Sequence, residues 1–212
     1  ELDNYSRVAE VALTFPPVWD VYSFNSDSDI ALTEGATTTI MATGTVSAFN
    51  GYADILFATS TFYRSAVGPL CSGDENNCYQ IDSSSCTLSS CAGSSCQVQC
   101  SADIQFFADP TDIGAYAAQT WLAGLSVEDA SGLRATVTAD PVEITTVNAL
   151  AVTSLIDYGS LEVGEDTGAT TEQTVVTNTG NNNIDIELEG TDLAGTGSTI
   201  GVGEQKFATT TF

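Results

Sequence analysis

Six cysteines, Cys71, Cys78, Cys86, Cys91, Cys96 and Cys100, fall inside one 30-residue stretch rich in Ser and Gly, and the other 182 residues contain none. A reducing cytosol does not maintain such a set as bridges, whereas secreted proteins use the pattern to staple segments too polar to build their own core. Three disulfides and an extracellular or cell-surface location are therefore expected, with the pairing left open. The competing reading is a thiolate metal site. It is disfavoured because the intervals of six, seven, four, four and three residues hold no C-x-x-C pair and the chain has no histidine. A redox-active pair is also disfavoured, since no neighbouring cation is present to lower a thiol pKa.

Charge removes several functional classes. Against 28 acidic residues stand only four cations, Arg7, Arg64, Arg134 and Lys206, for a formal net charge of −24. Nucleic acid and anionic lipid are recognised through clustered Lys and Arg, so neither is an expected partner. Without histidine there is no imidazole base and no nucleophilic triad built on one. No run approaches the length needed to span a bilayer, so membrane insertion is not expected. Glu1 opens without a basic and apolar leader, and the chain reads as already processed. A molecule this acidic repels its own copies, so close assembly calls for salt, bound cations or strong interfacial pairing.

Short runs of Val, Ile, Thr, Phe and Tyr alternate with polar or small residues, the mark of half-buried strands. Strands are predicted over 7–15, 18–24, 37–46, 53–63, 104–107, 115–127 and 135–144, separated by turn clusters at 25–29, Asn50-Gly51, Asp109-Pro110 and 129–132. The fold class expected is all-β, an antiparallel sandwich whose first module carries a disulfide-rich insertion over 70–100. Residues 1–17 form an N-terminal strand, 18–147 the first module, and 148–212 a shorter one. In the shorter module strands are expected at 149–156, 173–177, along Ile184, Ile186 and Leu188, and over 203–212.

Around Thr177-Asn178-Thr179-Gly180-Asn181 the chain resembles the immunoglobulin-like repeats of secreted bacterial and archaeal surface proteins, in which an N-T-G-N type turn separates two early strands. The resemblance spans about 40 residues and implies immunoglobulin-like sandwich modules. Such a sandwich needs about seven strands and about 100 residues. The second module has 64 residues from Ala149 onward and four or five candidate strands. It is expected to stay incomplete, and an open apolar edge invites a strand from elsewhere.

The stretch from Arg7 to Phe15 suits that role. Ala9, Val11, Leu13 and Phe15 share one face, and Pro16 and Pro17 separate the segment from the first module. Donated to the next copy, it joins subunits head to tail, and a heterologous contact that does not close builds a fibre. In this the chain resembles known families of extracellular filaments whose sandwich subunits are linked by donated strands. The alternative is that residues 7–15 pair within their own module.

Other residue patterns carry weaker chemistry. Asn25-Ser26-Asp27-Ser28-Asp29 sets oxygen donors on alternate loop residues, so Asp27 and Asp29 are the candidate ligands for Ca²⁺, the one cofactor considered and not a required one. The simpler reading is a solvated acidic turn. Asp109 with Asp112, and Glu128 with Asp129, are further turn carboxylates. Paired acids serve glycosidases, but no motif isolates a pair here and no enzyme activity is expected. Asn4-Tyr5-Ser6 is a glycosylation sequon. The leading expectation is a structural subunit of an extracellular filament or surface layer, with copies of itself as partners. The alternative is a monomeric adhesion module that binds a glycan or cell-surface partner, to which Tyr79, Phe106, Phe107 and Tyr116 contribute.

Overall fold

The computed structural model describes residues 14–155, 157, 160, 162 and 173–204. They group into two compact units, residues 14–147 with 180–182, and the described residues of 148–179 with 183–204. Among the described residues the first unit holds eight strands. β1 (Val18–Phe24), β2 (Thr38–Ser47), β3 (Ile55–Arg64), β4 (Cys78–Ile81), β5 (Cys86–Ala92), β6 (Ser95–Ile104), β7 (Trp121–Asp129) and β8 (Arg134–Thr138) make two four-stranded sheets, ordered β1-β2-β6-β5 and β4-β3-β7-β8. Every ladder is antiparallel. The protein is an all-β antiparallel sandwich.

Alternation in the sequence sets the two faces of each strand. In β7 every second residue from Trp121 through Ala123, Leu125 and Val127 to Asp129 is buried, with Leu122, Gly124 and Ser126 between them. β2 buries Ile40, Ala42 and Val46, which meet Phe24, Phe62, Val98 and Ile104 in one core. Full burial of an aliphatic or aromatic side chain of this size contributes about 1.5–3 kcal/mol. The Phe24 and Phe62 rings, one from each sheet, lie 4.8 Å apart.

The cysteine-rich stretch carries three of these eight strands. Cys96, Val98 and Cys100 alternate inward along β6, which pairs with β2 on one side and β5 on the other. Its sulfurs therefore belong to the core as much as its valine does, consistent with cysteine's standing among the most buried residue types.

Three of the four edge strands in this unit, β1, β5 and β8, are bulged or tied. β1 bulges at Asp20, between Trp19 and Val21, and Trp19 Nε1 donates to the Ala135 carbonyl of β8 at 3.2 Å, tying the two edge strands of the opposing sheets together. Gly44 permits this, because a Cβ there would lie 2.7 Å from the Trp19 ring and 2.8 Å from the Val21 carbonyl. On the far side β5 is broken by a bulge between Ser89 and Ala92, with Ser90 at φ 50°. Bulges of this kind blunt an edge.

Two predicted strands end or begin elsewhere. Residues 105–107 leave the sheet in a turn closed by Ala108 N–H donating to Gln105 O, so β6 stops at Ile104. Residues 115–120 are not strand either: Gly114, at φ 79°, opens a 3₁₀ turn over Gly114–Tyr116, and β7 starts at Trp121. Beyond β8 the chain stays on the sandwich through isolated bridges, Trp121 with Val142 and Ile30 with Ile144. Asn181 belongs to this unit: its side chain donates to Thr145 O at 3.1 Å and accepts from Val147 N–H at 2.7 Å.

In the second unit the described strands are short. β9 (Leu150–Val152) pairs with β10 (Val176–Asn178), and β11 (Leu193–Gly195) pairs with β12 (Ser198–Ile200) across a turn at Gly197, φ 90°. Ile184, Ile186 and Leu188 are not in a ladder, although their alternation predicts a strand. The hairpin over 193–200 was not legible as strand, because three-residue arms carry too little pattern. The predicted strand over 203–212 lies almost wholly outside the described residues.

Candidate functional site

The six cysteines form Cys71–Cys78, Cys86–Cys100 and Cys91–Cys96, and no thiol is free. Cys86 and Cys100 are cross-strand partners on β5 and β6. Cys91–Cys96 closes the hairpin between the same strands, and Cys71–Cys78 anchors the loop ahead of β4. A thiolate metal centre is thereby ruled out, and an oxidising environment follows from the bridges.

The stapled hairpin has a second use. Its tip receives two backbone hydrogen bonds from the turn after β2: Ala48 N–H donates to Ser94 O at 2.8 Å, and Tyr52 N–H to Gly93 O at 3.1 Å. Gly51 N–H closes that turn on Ala48 O, and its φ of 98° is one that favours glycine. With Ala48 buried beneath, Phe49 is held outward and is 78% exposed. Against it lies Phe15, ring centroids 5.2 Å apart, at the point where the N-terminal segment meets the sandwich. Phe15, Pro16, Val18, Ser47, Phe49 and Ser94 line a shallow, largely apolar cleft without a charged residue.

Phe15, expected on a donated face with Ala9, Val11 and Leu13, lies beside Pro16 and Pro17 with its ring 5.2 Å from Phe49 of its own unit. Ala9, Val11, Leu13 and the Asn4 sequon lie outside the described residues.

The described carboxylates do not gather into a cation site. Among the described residues no group of three or more Asp, Glu, His or Cys side chains is gathered to hold a metal. In the loop expected to bind Ca²⁺, Asn25, Ser26 and Asp27 all have positive φ, and Asn25 Nδ2 donates to the carbonyls of Ser28 and Asp29. Asp29 is spent on structure, its Oδ1 accepting from Glu143 N–H at 2.9 Å, so Asp27 and Asp29 are not brought together as ligands. Asp112 accepts from Thr146 and from Ile113 N–H; burial works against its ionisation, but these bonds hold its pKa below the usual value. Asp129, fully buried, caps the β7–β8 turn by accepting from the N–H groups of Ser131 and Leu133, both at 2.8 Å.

Each of the aromatic residues expected to contribute to a glycan site is engaged by neighbours. Tyr116 stacks on the Arg64 guanidinium at 4.0 Å. Arg64 in turn pairs with Asp109 at 3.0 Å and donates to Gln119. Tyr79 donates to the Glu75 carbonyl, accepts from Gln105 N–H at 3.0 Å, and lies 6.2 Å from the Trp121 ring. Burial, with the nearby charges of Glu75, Asp74 and Asp109, pushes its phenol pKa up to about 12. Phe106 and Phe107 pack edge to face on each other, 5.1 Å apart. All four are half-buried.

The second unit presents the opposite picture. Leu150, Val152, Leu155, Val175, Ile186 and Leu193 are each between 48 and 71% exposed. Its described ladders hold two strands apiece. Two-stranded ribbons with bare apolar faces are marginal in water. No helix among the described residues is long and apolar enough to cross a membrane.

Fold and bridges together define the class: an all-β, disulfide-bonded sandwich protein with an exposed aromatic platform at the mouth of its N-terminal segment. No protein-family model matches the chain, and no curated protein does. Among solved structures it is similar to a DUF4466 family protein from Parabacteroides merdae ATCC 43184, at 12% identity and a TM-score of 0.29. The match covers 80% of this chain and 57% of that one.

Proposed function

We propose that the protein is a secreted structural subunit of an extracellular filament or surface layer, in which residues 7–13 of one copy add a strand to the C-terminal unit of the next. The observation that carries this reading is the contrast between the units. Three of the four edge strands of the eight-strand sandwich are bulged or tied, while the C-terminal unit's described ladders are two strands wide with their apolar residues in solvent. An added strand supplies backbone hydrogen bonds and covers such a face at once.

Sequence supports the fit. Extended, residues 7–13, R-V-A-E-V-A-L, would set Ala9, Val11 and Leu13 on one face and Val8, Glu10 and Ala12 on the other. Residues 148–212 hold ten acidic residues against one lysine, so Arg7 approaches a favourable field. Because ladder bonds join backbone to backbone, the link survives the −24 charge once salt screens it, the screening length being about 8 Å at physiological ionic strength. Immunoglobulin-like character of the completed C-terminal module, and attachment to the cell surface, belong to the same proposal.

The test is deletion of residues 1–13, read by electron microscopy and size-exclusion chromatography. The shortened chain is expected to elute as a monomer, and a synthetic peptide spanning 5–14 added to the parent is expected to shorten its fibres. Polymers of parental length from the deleted chain exclude the reading.

A further inference from the structure

We infer that the Phe15–Phe49 platform is the seat on which the C-terminal unit of the neighbouring copy rests when it takes up the donated strand. The inference depends on the strand-donation reading and adds to it a second contact with its own residues.

Reach places the acceptor there. Leu13 is two residues from Phe15, and an extended chain advances at most about 3.3–3.6 Å per residue, so the end of any strand donated by residues 7–13 lies within about 7 Å of Phe15. A sheet that accepts the strand brings its neighbouring strands within about 5 Å and its packed face within about 10 Å. The acceptor therefore arrives against whatever surrounds Phe15, and its surroundings are Phe49, Val18 and Pro16. Phe49 at 78% and Val18 at 59% exposure form an apolar surface that a monomer leaves wet.

Two features fit this surface to another copy. The residues lining the cleft include no carboxylate, the nearby Asp20 accepting from Ser47 at its rim, so in a chain of net charge −24 the apolar contact itself sets no like charges against each other. It is also stiff, since the turn presenting Phe49 is bonded to Gly93 and Ser94 at a hairpin tip closed by Cys91–Cys96. A rigid aromatic held out by a braced turn loses little freedom when covered, which favours binding. The occupant is the partner's unit formed by residues 148–204, whose own exposed leucines, isoleucines and valines complement it.

The decisive experiment places the photocrosslinker p-benzoylphenylalanine at position 49 of the full chain and maps the crosslinks formed in assembled material by mass spectrometry. Intermolecular crosslinks to residues 148–204 are expected. Crosslinks confined to residues 14–147 of a neighbour, to a glycan, or absent altogether from assembled fibres overturn the inference. A second variant, Phe49→Ser, keeps the donor segment intact and is checked for an unchanged melting curve as a monomer. Its critical concentration for assembly is expected to rise about tenfold, which corresponds to about 1.4 kcal/mol. Parental assembly by Phe49→Ser removes the platform and leaves strand donation standing, whereas polymerisation by the 1–13 deletion removes both.

Discussion

Arg64 Nε donates to Asp109 Oδ2 at 3.0 Å, with the two side chains only 10% and 14% exposed and Tyr116 lying over the guanidinium. One of the chain's four cations is thereby committed to joining β3 to the loop ahead of β7, and the Asp109 carbonyl also accepts from Trp121 Nε1 at 2.9 Å. Removing one partner of such a pair leaves the other charged and desolvated. Arg64→Met, which leaves Asp109 buried without its cation, is expected to cost about 3–5 kcal/mol, and Arg64→Met combined with Asp109→Leu less than Arg64→Met alone. Chemical denaturation of the two variants checks the order.

Acid pulls on the carboxylates in two directions. Burial raises the Asp109 pKa above its ordinary 3.8, against the attraction of Arg64, so just above that value the folded chain holds a proton the unfolded chain has released. Its contribution to stability therefore falls as pH rises through that window. Asp74, held down by Asn76 and Asn77, and Asp82, held down by Ser84, act oppositely, together with Asp112. Their contribution is complete above the ordinary value of 3.8 and is lost as pH falls through their folded values. A series of melting curves between about pH 2.5 and 6 is expected to show net loss on acidification, with Asp109→Asn changing only the part above 3.8.

The bridges differ in what their loss does. Cys86–Cys100 spans 14 residues and Cys91–Cys96 spans five. Chain-entropy arguments give about 3 kcal/mol for the first and about 2 kcal/mol for the second. Replacing Cys91 and Cys96 by Ala is therefore expected to lower the melting temperature less than replacing Cys86 and Cys100. It is also expected to increase hydrogen exchange at Ala48 and Tyr52, whose N–H groups rest on the hairpin tip. Exchange at those amides unchanged from the parent counts against the bracing of Phe49.

Gly44→Ala is expected to destabilise by about 1–3 kcal/mol although it adds a single methyl. The new Cβ would meet a backbone carbonyl as well as the Trp19 ring, and only the ring can yield. A red shift in tryptophan emission, as Trp19 leaves Ala135, accompanies the loss. Unchanged emission and stability would mean that β1 can move away from Gly44 freely.

Much of the sandwich was readable from the chain. Val18–Phe24 is a strand with the bounds its alternation predicts, because Pro17 limits it on one side and Asn25 to Asp27, with positive φ, turns the chain on the other. β6 was harder. Cys96, Val98 and Cys100 alternate as cleanly as any strand, yet cysteines in a Ser-rich stretch read first as staples, and their share in the core depends on pairing with β2, far away in sequence. The candidate site was least legible. Asn50-Gly51 marked a turn, but nothing local says that Phe49 stays in solvent, since that depends on Ala48 bonding to Ser94, distant along the chain. In the C-terminal unit, Ile186 and Leu188 carry the right period without a strand beside them, because alternation selects a face and only a partner makes a ladder.

The two nested bridges on the β5–β6 hairpin have a consequence for a chain that meets a protease. A single cut at the Gly93 tip leaves both pieces covalently joined, once through Cys91–Cys96 and again through Cys86–Cys100. The nicked chain keeps β6 at the centre of its sheet, so damage at that hairpin does not release a fragment.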